Sequence, residues 1–149
     1  SKLQTVTFAE GSQLQTIGSF AFSNCSALTS ITIPASVTKI GTSAFEDCSK
    51  LRTVTFAKGS QLQTIGSSAF QNCSALTSIT IPANVTSIGR YAFQNCSALT
   101  SVTFEDPNHW FVTRTSAATS GRNVTLTNAA QNARYLKSTY DDYYWKKSV

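Results

Sequence analysis

The apolar residues of this chain fall into a short pattern that returns on itself. Between positions 28 and 48 they are Leu28, Ile31, Ile33, Val37, Ile40, Ala44, Phe45 and Cys48, and the same chemical types recur in the neighbouring segments. The alternation Ile31-Thr32-Ile33 predicts a short half-buried strand. Pro34 ends it, because a fixed φ and a missing N–H cannot extend a ladder. A second extended piece from Val37 to Ile40 stops at Gly41, which is expected to supply a turn conformation closed to other residues. Ala44-Phe45-Glu46-Asp47-Cys48 then brings the chain back as an arch or a short helical turn.

The period is read from two residue types. Cys25, Cys48, Cys73 and Cys96 are separated by 23, 25 and 23 residues, and Gly18, Gly41, Gly66 and Gly89 keep the same steps. Two turns therefore make one 48-residue super-repeat, and residues 3–50 match 51–98 at 37 of 48 positions. The two extra residues of the longer turns fall in Ala9-Glu10-Gly11-Ser12 and Ala57-Lys58-Gly59-Ser60, as loop insertions. One turn cannot bury its apolar set alone. Stacking turns at the ~4.8 Å strand spacing lays each apolar residue over its equivalent and forms a continuous core. The expectation over residues 1–104 is a right-handed β/α coil with parallel sheets, mostly β and loop, of about four turns and five strands.

The spacing Leu-x-x-Ile-x-Ile-Pro-x-x-Val-x-x-Ile-Gly-x-x-Ala-Phe-x-x-Cys has its clearest copies at Leu28 to Pro34 and Leu76 to Pro82. It resembles the BspA-like, or Treponema pallidum-type, leucine-rich repeats of bacterial surface proteins, over roughly residues 1–104. The resemblance implies a leucine-rich-repeat solenoid in an extracellular, cell-surface or secreted protein. It also implies a repeat array that binds host or matrix proteins, or other bacteria, without enzymatic activity. Such arrays also occur in some parasitic protists. Leu3 enters mid-repeat with no Cys before it, and an uncapped solenoid exposes its ladder ends, so the natural chain is expected to continue upstream.

Composition narrows the function classes. Of 149 residues, 21 are Ser and 21 Thr, while charged residues make up only 13%, so the surface is polar and largely uncharged. One His and no Met thin the usual catalytic and ligating inventory. No enzyme, cofactor or metal site is expected. The chain begins without a basic or apolar leader, and no apolar run approaches the ~20 residues that span a bilayer, so no membrane insertion is expected in this segment. Net charge is +5, split into +3 over residues 1–104 and +2 over 105–149. That diffuse balance argues against a nucleic-acid partner, which needs several phosphate contacts on one face.

The remaining constellations read mostly as structure. One Cys per turn at constant phase predicts an inward ladder of free, buried thiols rather than disulfides or a zinc site. Glu46 and Asp47 are adjacent and point apart, which is poor geometry for a carboxylate pair. Glu105-Asp106-Pro107-Asn108-His109 reads as a turn that ends the last strand. Asn-Cys-Ser at 24–26, 72–74 and 95–97 recurs with the structural repeat. The outward strand position is Thr in every turn: Thr7, Thr32, Thr55, Thr80 and Thr103. This column suits a pleated surface, and it also offers a flat hydroxyl platform to a protein or glycan. The eleven mismatches between the two super-repeats avoid the apolar ladder and take in every charged residue from Glu10 to Arg90. The candidate partner-binding surface is therefore the threonine column with Lys39, Arg52, Arg90 and Tyr91.

After Phe104 the repeat ends. Residues 105–149 are expected to form an α/β capping region, with strands at Trp110–Thr113 and Asn123–Leu126 and a helix near 128–146. Asn128 and Gln131 provide its N-cap pair, and Ala129, Ala133, Leu136, Tyr140, Tyr143 and Tyr144 its apolar stripe. The leading expectation is a non-catalytic protein-binding module of a bacterial surface protein, adhering to host matrix proteins or other cells. The alternative is a spacer that presents another domain. A binder should cluster the mismatch positions on one face, and a spacer should scatter them.

Overall fold

The computed structural model describes residues 1–148; Val149, the end of the 105–149 tail, lies outside the described residues. Short two-residue strands alternate with four-residue strands: β1 (Thr16–Ile17), β2 (Ser30–Ile33), β3 (Lys39–Ile40), β4 (Thr53–Phe56), β5 (Thr64–Ile65), β6 (Ser78–Ile81), β7 (Ser87–Ile88) and β8 (Ser101–Phe104). The tail adds β9 (Trp110–Thr113), β10 (Arg122–Asn123), α1 (Ala129–Arg134), a π-helical turn at Tyr135–Thr139 and β11 (Tyr144–Lys147). The result is a parallel-sheet solenoid of about four turns. Its short strands form one sheet in the order β1-β3-β5-β7-β11-β9-β10, and the longer strands pair as β2–β4 and β6–β8.

The core is a set of vertical ladders. Leu28, Leu51, Leu76 and Leu99 are fully buried, as are Phe45, Phe70 and Phe93. The rings of Phe22, Phe45, Phe70 and Phe93 stack at 5.2, 5.2 and 5.3 Å. The four cysteines are free and buried, as their constant phase predicts. Each thiol after the first also donates to a backbone oxygen one turn back: Cys48 to Phe22 at 3.1 Å, Cys73 to Phe45 at 3.2 Å and Cys96 to Phe70 at 3.1 Å. They are donors as well as fillers.

Gly41 does not have the role the sequence assigns it. Its φ is not in the left-handed region; instead a Cβ there would lie 2.5 Å from Ser19 N and 2.8 Å from the carbonyl carbon of Gly18. The glycine column is required by the close stacking of backbones. The left-handed residues of the arch are non-glycine, in two columns: Phe20, Ser43, Ser68 and Tyr91 at φ of 59, 52, 55 and 59°, and Asn24, Asp47, Asn72 and Asn95 near 60°. Asn and Asp tolerate that region. The first column is held by hydrogen bonds from Phe20 N to Thr42 O, Ser43 N to Ser67 O and Ser68 N to Arg90 O, each to the next turn.

The expected fifth long strand, at Thr5–Phe8, is reduced to one bridge between Thr5 and Ser30. Long strands pair across the 23-residue steps and not across the 25-residue steps: Ser30↔Thr53 and Ser78↔Ser101 are in register, whereas β4 and β6 share no ladder. The physical cause is the two-residue insertion, which turns through Gly11 (φ +71°) and Gly59 (φ +76°) and parts the strands on either side.

In the tail, Trp110–Thr113 is a strand as expected, but the next strand covers only Arg122–Asn123, and the helix does not run to 146. It stops after the π turn, and Tyr144–Lys147 forms β11, antiparallel to both β7 and β9. Trp145, 1% exposed, anchors β11, where it pairs with Ile88 and Val112. Asn128 caps the helix by accepting from Gln131 N at 2.9 Å, while the Gln131 side chain reaches Tyr135 Oη instead of returning to the cap.

Candidate functional site

On the longer strands every outward side chain is a hydroxyl. Ser30 and Thr32, Thr53 and Thr55, Ser78 and Thr80, and Ser101 and Thr103 form two columns, with Thr32↔Thr55 and Thr80↔Thr103 in register, and Thr5 and Thr7 continue them. All but half-buried Ser101 are exposed. Among the described residues none of these ten hydroxyls has a hydrogen bond within the chain. The hydroxyls of Ser36, Thr38, Ser74, Thr86, Ser97 and Thr100, by contrast, donate to backbone oxygens of the preceding turn. The strand face thus keeps its hydrogen-bonding capacity for something outside. Sequence reasoning named the Thr7-to-Thr103 column and missed the second one, two residues earlier, although it was readable from Thr5, Ser30, Thr53, Ser78 and Ser101.

The four other candidate residues do not assemble on this face. Arg52 is exposed immediately before β4, at the margin of the columns, while Lys39 is exposed on β3 in the other sheet. Arg90 and Tyr91 are half-buried against the tail. Arg90 Nε donates to Asp142 O at 2.8 Å and Nη2 to Tyr91 Oη at 3.0 Å, and Tyr91 N donates to Asp141 O. Of the eleven mismatch pairs, six fall in the arch (20/68, 23/71, 42/90, 43/91, 46/94 and 47/95), one on the outward position of β3 and β7 (39/87), and none on the outward positions of the longer strands.

Where the strands part, two equivalent clefts open 48 residues apart. The first has a volume of about 540 Å³ and is lined by Phe8, Glu10, Ser12, Thr32, Pro34, Ala35, Ser36 and Ala57, among others. The second, about 270 Å³, is lined by Phe56, Gly59, Ser60, Thr80, Pro82, Ala83, Asn84 and Glu105. They differ at the Ala57/Glu105 phase, at Ser36/Asn84, and at Glu10/Lys58, of which Lys58 lies outside the second lining. Glu105 Oε2 accepts from Ala83 N at 2.9 Å inside the second cleft, and Ala57 has no such group to offer Ala35 N–H in the first. No Lys or Arg lines either cleft. Their signal in the sequence was the 23/25 alternation itself, together with the aromatic residue ending each long strand that precedes an insertion.

Of the carboxylates weighed for catalysis, Asp47, Glu105 and Asp106 are engaged structurally. Asp47 Oδ1 accepts from Asn72, which accepts from Asn95. Asp106 accepts from Lys147 and from Asn108, and those hydrogen bonds, the Lys147 one foremost, hold its carboxyl down at about 2. Burial pushes the thiols of Cys48 and Cys96 up to about 12 and Cys73 higher still, so none of the three is a nucleophile near neutral pH. Among the described residues no group of three or more His, Cys, Asp and Glu converges on a point, and no helix is long and apolar enough to cross a membrane.

The family model for the BspA type leucine rich repeat region matches residues 1–117 in six copies. Among solved structures, the chain is similar to the pneumococcal vaccine antigen PcpA, at 39% identity and a TM-score of 0.68, over 74% of this chain and 27% of that one. It is also similar to a leucine-rich repeat protein from Bacteroides capillosus, at 33% identity and a TM-score of 0.53, over 62% of this chain and 64% of that one. The chain therefore spans about a quarter of the pneumococcal antigen and under two thirds of the Bacteroides protein. No curated protein matches it.

Proposed function

The chain belongs to the BspA-type leucine-rich repeat family, and from that premise we propose that it is a non-catalytic protein-binding module of a bacterial cell-surface protein, adhering to host matrix proteins or other cells. The observation that carries this reading is the strand face: ten regular hydroxyls, uncharged and unspent within the chain. Hydroxyls bonded only to water lose little when a partner replaces that water. Arg52, at the margin of this face, supplies a fixed charge of the kind that sets orientation at a rim.

The test is capture of purified host matrix proteins by the immobilised chain. Saturable capture is expected, together with its loss in a variant carrying Thr32→Asp and Thr80→Asp that keeps the wild-type melting temperature. Absence of capture across the matrix proteins favours the spacer reading. Capture that survives both substitutions removes the strand face from the site.

A further inference from the structure

The two clefts carry a more specific ligand chemistry. We propose that the first is a subsite for a neutral sugar residue of a glycan, and that Glu105 closes the equivalent cleft from within. This rests on the reading of the chain as a recognition module and names one class of ligand for it.

The argument starts from the repeat. Clefts at equivalent positions in both super-repeats are a consequence of the insertion loops. The first pairs half-buried Phe8 with the Glu10 carboxylate and the Thr32 hydroxyl; the second keeps Phe56 and Thr80, but Lys58 stands at the Glu10 phase, and its one carboxylate, Glu105, is engaged by Ala83 N. A pyranose presents C–H groups on its faces and hydroxyls around its edge, which suits an aromatic wall beside a carboxylate that accepts from adjacent hydroxyls. The first cleft, at about 540 Å³, lies within the range of small-ligand sites. The absence of Lys and Arg from both linings, with a carboxylate in each, disfavours uronic acids, sialic acids and phosphates through like-charge repulsion.

Glu105 shows what the open cleft lacks. Its carboxylate supplies an oxygen to Ala83 N–H and occupies part of the space, leaving about half the volume of the first cleft. At the equivalent Ala35 N–H the residue in that phase is Ala57, which leaves the place open to a ligand oxygen. One sugar hydroxyl on Ala35 N–H and others on Glu10 fix a ring against Phe8.

The test uses the full chain, labelled with nitrogen-15, and follows its backbone amide signals during millimolar titrations of lactose, maltose, cellobiose and mannobiose, with glucuronate as the anionic control. At least one neutral disaccharide is expected to shift the amides of Gly11, Thr32 and Ala35 with one-to-one stoichiometry, glucuronate having no effect. Ala57→Glu, which copies the Glu105 arrangement and keeps the fold, should abolish those shifts. Glu105→Ala should not create a second sugar site, because that cleft then holds no carboxylate and Lys58 stands at the Glu10 phase, and Glu10→Gln should weaken binding about tenfold. The proposal is overturned if no neutral sugar moves these amides in the folded chain, if Ala57→Glu leaves the shifts intact, or if glucuronate binds as well as the neutral sugars. Absence of matrix-protein capture by the unsubstituted chain, with the sugar shifts present, would remove the strand-face reading alone.

Discussion

Gly66 lies so close over Gly41 that a Cβ built on it would stand 2.6 Å from the Gly41 carbonyl carbon and 2.7 Å from Thr42 N. Those are backbone atoms, held by the Gly66 N to Ile40 O hydrogen bond at 2.8 Å, and they cannot swing aside as a side chain would. Gly66→Ala must therefore push two turns apart and disturb the ladders on both sides. Gly18, at the same phase, meets nothing within 4 Å and has no positive φ. The expected outcome is a loss of roughly 2–4 kcal/mol for Gly66→Ala, in the range of other core overpacking. Gly18→Ala should be neutral or slightly stabilising. Denaturant melts of the two variants check this, and equal effects would contradict the close-approach reading.

The cysteine ladder predicts a reactivity and a pH dependence. A thiol reagent should find nearly none of the four cysteines in the native chain and all four after denaturation without reductant. Burial raises the Cys48 thiol from 9.0 to about 12 in the folded chain, so the unfolded chain loses its proton first. The stability from keeping that thiol neutral is fully present below pH 9 and is lost as pH rises toward 12. Cys48→Ala should cost on the order of 1 kcal/mol at neutral pH. The gap between wild type and variant should narrow above pH 9 and reverse before pH 12, since only the wild type has this thiol to ionise. A gap that stays constant across that window would show that the sulfur is not desolvated.

Strand register yields a paired test on adjacent residues. Ile79 is 4% exposed and Thr80 faces out. Ile79→Asp places an unpaired charge among the ladders, at a cost of several kcal/mol, and should unfold the neighbouring turns. Thr80→Asp should stay folded with a near-native melting temperature. Equal destabilisation would contradict the assigned strand register.

How much of this was legible beforehand depended on what made each feature repeat. Core positions such as Leu28, Ile31 and Phe45 were readable because each buries against its own copy, so their period is their environment. The tail has no copy to compare, and Tyr143-Tyr144-Trp145 satisfies helical spacing and strand alternation alike. What decides is tertiary: β7 leaves an edge that β11 pairs with. The clefts stayed hidden because an insertion read as a surface loop says nothing about the strands it separates. The role of Gly41 was misread for a related reason, since close approach depends on a residue a full turn away.

Tail residues take hydrogen-bonding places that a further turn would fill. Tyr91 N donates to Asp141 O just as Ser68 N donates to Arg90 O, and Lys147 N donates to Thr86 O just as Thr86 N donates to Gln63 O. Asn132 Nδ2 donates to Val102 O at 2.9 Å and Lys137 Nζ to Leu99 O at 2.7 Å, tying α1 and the π turn to the last long strand and the turn before it. Deleting residues 128–149 removes all four anchors and strips Leu136 and Trp145 from the core, each burial worth about 1.5–3 kcal/mol. Against a total of roughly 5–15 kcal/mol for a domain, that is enough to wet the end of the ladders at Leu99, Val102 and Phe104. The truncated chain should aggregate or bind an apolar dye, and its melting temperature should fall. A truncation that stays monomeric with an unchanged melt, yet loses a ligand, would instead make the tail a binding site.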